Sequence, residues 1–200
     1  MAAVYLHRQD LLEADMAFCR DLDHARWRLL AQMIEKGINC PRASSAGRLF
    51  AAVAALLGLR QVEVYEGQSA IMLEAAATEA EGTYSYDIAE QNGMLVVDPG
   101  PMFGDLVADL QAGRSVGELS ARFHNTFVAM LAEAAVKVAK ANDLKQVALS
   151  GGTFQNELVL VGLHRRLTAA GLQVFIHREI PPNDGGLALG QAVVASARKN

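Results

Sequence analysis

Between residues 146 and 193 the chain alternates apolar runs, glycine breaks and helical periods in an order that few folds satisfy. The apolar run QVAL at 146–149 stops at Ser150-Gly151-Gly152, and a helical pattern takes over at 154–169. Gly171 ends it, a second apolar run follows at 172–176, and after PPNDGG a last helix starts near 185. A strand, a helix and another strand at this spacing form a βαβ unit, in which the crossover makes the two strands parallel. Ligands of such units collect beyond the carboxyl ends of the strands. Both glycine turns lie at such ends.

Upstream the pattern is mainly helical. In DHARWRLLAQMIEK apolar residues recur at 27, 30, 33 and 34, and Gly37 closes the period. Ser44 or Ser45 caps a helix over 44–57 whose Phe50, Val53 and Leu57 share one face, with Gly58 as its stop. An Ala-rich helix covers about 68–80. TYSYDI and MLVVD flank AEQNG, whose Asn92-Gly93 pair signals a hairpin. DPGP precedes a short helix over 102–112, and the longest helix carries Leu119, Phe123, Phe127, Met130, Ala134 and Val138 as an apolar stripe. The chain thus divides into a helical segment, 1–80, and an α/β lobe, 81–200, that carries the SGG and NDGG turns.

With 52% hydrophobic and 20% charged residues, the composition is that of an ordinary globular protein. A net charge of −4 without a basic cluster argues against nucleic acid as a partner. No apolar stretch reaches the ~20 residues of a membrane span, and the acidic N-terminal stretch is unlike a secretory signal. These features predict a cytoplasmic protein without a membrane partner. Cys19 and Cys40 fit no metal spacing and read as two thiols, with a single disulfide as the alternative.

Three stretches carry the chemistry. In LSGGTFQN, Gly151 and Gly152 permit positive φ and remove Cβ atoms from the path of a ligand. The helix that follows presents free N–H groups to an anion, and Asn156 is placed to bond a sugar or a base edge. A plain tight turn would explain the two glycines as well. In PPNDGG, Asp184 caps the last helix or, beside Gly185 and Gly186, holds a divalent metal or orients a nucleotide phosphate. In SSAGR the serines cap a helix, and Arg48 offers a forked donor to phosphate. His124 reads as a structural helix histidine, and no histidine pair makes a metal site.

Together, SSAGRLF, YEGQSAIMLE, ARFHNTF, LSGGTFQN and PPNDGGLALGQA resemble, in that order, the C-terminal region of the hydrogenase maturation carbamoyltransferases of the HypF type. The similarity runs from about residue 25 to 195. It implies an actin-like ATPase fold built on ribonuclease-H-like lobes, here one lobe with a mixed sheet flanked by helices and an added helical part. It implies transfer of a carbamoyl group from carbamoyl-adenylate, made with ATP, to the C-terminal cysteine of a maturation partner protein. Ser150, Gly151, Gly152 and Asn156 fall in the family's nucleotide loop, Ser44, Ser45, Gly47 and Arg48 at a second nucleotide-proximal helix start, and Gly185 and Gly186 beside Asp184, which matches a metal-holding carboxylate. Two departures stand out. Ala51 replaces the family's Asp, and the paired metal-binding histidines lie upstream of this region. The divalent metal, Mg or Fe, is therefore expected only with the missing lobe, and nucleotide turnover by this chain alone is expected to be weak. The rival expectation is a non-catalytic interaction module that binds a partner or itself as a homodimer.

Overall fold

A computed structural model describes residues 1–41 and 43–198. Its helices are α1 (Ala2–Arg8), α2 (Ala17–Arg20), α3 (His24–Glu35), α4 (Ala46–Leu56), α5 (Gln68–Ala76), α6 (Gly100–Gln111), α7 (Val116–Ala141), α8 (Glu157–Ala169) and α9 (Leu187–Ala197). The strands are β1 (Asp87–Gln91), β2 (Met94–Asp98), β3 (Gln146–Leu149) and β4 (Gln173–Ile176). Two compact units share the chain. The first takes in Met1–Asp87 and Asp98–Phe123; the second takes in Ile88–Val97 and everything from His124 onward. The units therefore interleave along a chain that the sequence divides once, between residues 80 and 81.

The first unit is helical. α4 packs on α1 and α5, and α1 also meets α6. Ser45 caps α4 by accepting from the Arg48 N–H at 3.3 Å, and Phe50, Val53 and Leu56 on its apolar face are buried. Phe50 meets Phe123 edge-on at 4.8 Å, and Tyr5 stacks on Phe103 at 4.3 Å. α5 stops at Ala76, short of residue 80, because Thr78 N–H donates to the Gly117 carbonyl. A Cβ on Gly117 would lie 2.6 Å from Thr78 Cγ2, so this crossing needs glycine. α3 forms over the expected residues with Asp23 as its cap, yet none of its residues is buried and Leu29 is 61% exposed.

The hairpin turn at Asn92-Gly93 is as expected: both residues have positive φ, 52° and 74°. Its first strand is displaced. Ala89, Glu90 and Gln91 lie in β1, whereas 83–86 are not strand. Polar ties to α6 and α7 hold that stretch instead. Tyr84 Oη donates to Asp109 Oδ2 at 3.3 Å beneath the Arg122 guanidinium, and Ser85 N–H donates to Asp105 Oδ2 at 2.7 Å. Arg122 and Arg114 both pair with Asp109. Burial first, and the Asp109 charge second, push the Tyr84 hydroxyl pKa well above its ordinary value.

In the second unit β3 and β4 pair in parallel, with Val147 opposite Val174 and Leu149 opposite Ile176. Val128, Ala132, Leu149, Leu163 and Leu167 form the core between α7, β3 and α8. Gly162 lets α8 approach α7: a Cβ there would stand 3.1 Å from Val128. The expected single mixed sheet is not seen among the described residues, which form two separate two-stranded sheets. Neither β3 nor β4 has a second strand partner among the described residues, and so small a sheet depends on packing against other elements for its stability. The apolar α9 likewise buries none of its residues, and Leu187 and Val193 are 57% and 60% exposed.

Candidate functional site

The register of β3 and β4 builds the site. Leu149 stands opposite Ile176, so the next residues, Ser150 and His177, leave the strands side by side. Ser150 Oγ lies 2.9 Å from His177 Nε2. The backbone then turns sharply at Gly151, whose φ of 109° and ψ of 161° suit glycine. Gly151 N–H donates to the Pro182 carbonyl at 2.8 Å, so the SGG and PPNDGG turns are joined by a backbone bond. The sequence places both turns at strand ends, and the structure brings them together.

A 3₁₀ turn, Gly152–Gln155, follows, and its first bond runs from Phe154 N–H to the Gly151 carbonyl. The N–H groups of Gly152 and Thr153 precede that bond and have no carbonyl in helical register. A Cβ on Gly152 would meet nothing within 4 Å, and its φ is not in the left-handed region. Neither packing nor backbone strain within the chain accounts for glycine here. The turn leaves open space beside Gly152.

Asn156 is accounted for internally. Its Oδ1 accepts from Val159 N–H at 3.0 Å, capping α8, and its Nδ2 lies 3.0 Å from His124 Nε2. Both side chains are buried. Because an amide nitrogen donates, His124 Nε2 is the acceptor and its proton sits on Nδ1. His124 is thus the structural helix histidine expected, and Asn156 ties α8 to α7 behind the turn. The signal for the cap was present: Asn before a helical apolar run is a helix start. The partner 32 residues away carries no local signal.

The PPNDGG turn corrects one assignment. Asp184 does not cap the last helix; Asn183 accepts from Gly185 N–H at 3.0 Å and closes a 3₁₀ turn, Asp184–Gly186. Asp184 is exposed, and its carboxylate makes no hydrogen bond or ion pair among the described residues; only its backbone carbonyl accepts, from Leu187 N–H. A Cβ on Gly185 would crowd Asn183 and Pro181 at 3.1 Å, and one on Gly186 would stand 2.9 Å from the Pro181 carbonyl. Packing inside the turn therefore explains both glycines. No group of three His, Cys, Asp or Glu that could hold a metal ion occurs among the described residues. One carboxylate does not fit a divalent cation, which takes six or more oxygen donors.

Ser44, Ser45, Gly47 and Arg48 belong to the first unit. Ser45, not Ser44, makes the cap. Arg48 is exposed and makes no ion pair among the described residues, and the nearest side-chain atom to a Cβ on Gly47 would be 4.0 Å away. Cys19 and Cys40 are unpaired. No described helix is long and apolar enough to cross a membrane.

The family model described as carbamoyltransferase, Kae1-like domain, second subdomain matches residues 1–191, and the chain belongs to that family. Its relatives are HypF proteins. A HypF homolog from Cupriavidus necator is 37% identical, covering 98% of this chain and 52% of its own length. HypF of Rhodobacter capsulatus is 40% identical, with 85% of this chain and 22% of that protein covered. The crystal structure of full-length HypF in a phosphate- and nucleotide-bound form superposes with a TM-score of 0.88 at 34% identity, over 97% of this chain and 26% of that one. The chain thus matches the C-terminal region of HypF and spans about half the length of the first relative and about a quarter of the others.

Proposed function

We propose that this chain is the nucleotide-facing C-terminal lobe of a cytoplasmic carbamoyltransferase acting in hydrogenase maturation. The fold would be one lobe of an actin-like ATPase, and the ligand ATP or carbamoyl-adenylate. The observation that carries the reading is the open space at Gly152, in a turn where the N–H groups of Gly152 and Thr153 precede the first helical bond. These donors suit a phosphate oxygen, and their fixed direction would stabilise charge that develops on the leaving adenylate. In the complete protein a partner cysteine thiolate forms a C–S bond to the carbamoyl carbon. The C–O bond to the adenylate phosphate breaks, and AMP leaves with the electron pair. Ser44, Ser45, Gly47, Arg48, Ser150, Gly185 and Gly186 remain candidate nucleotide-proximal residues, and Asn156 acts behind the loop.

A divalent metal would add Lewis-acid chemistry. Asp184 would be one ligand, and the others would come from outside this chain. The open edges of the β3–β4 pair and the uncovered α9 favour a lobe that works only against further protein. They equally suit the second reading, a non-catalytic module that binds a maturation partner or a second copy, which Ala51 also favours. Calorimetric titration with ATP, with and without Mg²⁺, tests the first reading: weak binding and no carbamoyl transfer by the 200-residue chain are expected. Transfer by the chain alone would refute incompleteness. Absence of ATP binding together with a stable dimer mass would favour the module.

A further inference from the structure

We propose that His177 is the positioning residue for Ser150, setting whether the Ser150 hydroxyl donates toward an anion bound at the SGG turn. The inference rests on the nucleotide reading of that turn and adds a residue that no motif marks. The contact is a product of register: Ser150 follows Leu149, His177 follows Ile176, and those two residues are paired. Nε2 and Oγ are 2.9 Å apart.

A hydroxyl has one proton to give and two lone pairs. When His177 Nε2 accepts, the Ser150 proton points at the ring, and the oxygen turns only lone pairs outward, which repel a phosphate. When Nε2 carries the proton, it donates to Ser150 Oγ, and the hydroxyl proton is free for the anion. His177 makes no other hydrogen bond among the described residues. Among the described residues nothing else fixes its tautomer. His177 also lines a cavity of about 480 Å³ with His164, Phe175, Arg178 and Glu179. An anion that needs the Ser150 proton selects the Nε2–H form, and His177 in that form holds the hydroxyl aimed outward. Since Gly151 N–H is taken by Pro182, an anion at the turn would draw on the Ser150 hydroxyl and the N–H groups of Gly152 and Thr153.

Two measurements on the 200-residue chain test this. Nitrogen-15 NMR of the His177 ring, in the ligand-free protein, should change its tautomer balance on Ser150→Ala, and in the native protein should move toward Nε2–H when ATP or inorganic phosphate is added. Calorimetric ATP titration should show about tenfold weaker binding for both Ser150→Ala and His177→Ala, the loss expected for a hydrogen bond to an ionised group. The double variant should be no weaker than Ser150→Ala, and His177→Gln, whose amide N–H donates in the same place, should recover binding to within about twofold. Both residues are exposed, so melting temperatures should not move. Losses that multiply in the double variant, or a ring that ignores Ser150→Ala, overturn the proposal while leaving nucleotide binding intact. A native chain that binds no ATP overturns both this proposal and the reading beneath it.

Discussion

Replacing Gly152 by alanine separates a ligand role from a folding role in one experiment. The position has a φ outside the left-handed region and nothing within 4 Å of a built Cβ. Alanine therefore fits, and by restricting the unfolded chain it should add ~0.4–1 kcal/mol of stability. For a chain of 200 residues that corresponds to a melting temperature higher by about 1–4 °C. Binding should move the other way. A phosphate oxygen bonded to an N–H lies ~2.9 Å from the nitrogen, and a methyl group on the same residue occupies its approach. Losing a hydrogen bond to a charged ligand costs about 1.5–3 kcal/mol, or roughly 10–150-fold in affinity. Gly151→Ala is the control: with φ at 109° it should lower stability by ~1–3 kcal/mol through backbone strain. Differential scanning calorimetry and ATP titration read both signs. Unchanged ATP affinity in a Gly152→Ala variant that melts higher would refute the idea that a ligand uses this open turn.

Three further outcomes are expected. Asn156→Ala removes the α8 cap, worth ~0.5–2 kcal/mol, and the amide donor to buried His124 Nε2, worth ~1–3 kcal/mol, so urea titration should show a loss of about 1.5–5 kcal/mol. Asp23, Glu63 and Glu118 have pKa values below the ordinary carboxylate range, through the Arg26 N–H, the Ser69 side chain and the Ser115 side chain respectively. The unfolded chain binds more protons in acid, so their contribution is present above about pH 4.5 and is lost as pH falls through the folded values. Glu63→Gln should shallow that acid limb in a pH series of melting temperatures. Tyr84 has the opposite shift, so its contribution is full below about pH 10 and fades as pH rises through its higher folded value. In an absorbance titration Tyr84 should ionise above the ordinary tyrosine range, and Tyr84→Phe should remove that late step.

Where local chemistry decides structure, the sequence was explicit. Ser45 before an apolar helix, Asn92-Gly93 between two strands and Gly58 after Leu57 each meet a backbone demand within a few residues, and each stands where expected. The parallel pairing of β3 with β4 was equally legible, since a helix between two short apolar runs leaves little choice. Failures arose where a distant partner outbid the local rule. TYSY has strand-forming residues, yet Asp105 and Asp109 of α6 hold it outside β1. Asn156 reads as a group placed to bond a sugar or a base edge, and the structure shows its amide engaged with His124. Asn183 and Asp184 are both good caps, and only the tight packing of Gly186 on Pro181 shows which is used. The extent of the sheet was hidden for another reason. A strand's pattern states which face is apolar but not how many neighbours its edges have.

The backbone bond between Gly151 and Pro182 gives neighbouring peptide groups unequal access to solvent deuterium. The Gly151 amide should exchange slowly, because releasing it requires the two glycine turns to part. The Gly152 and Thr153 amides, which lie ahead of the first helical bond, should label within moments. A nucleotide seated on them would bring all three to a common slow rate, and isotope uptake at adjacent glycines would become a local gauge of occupancy.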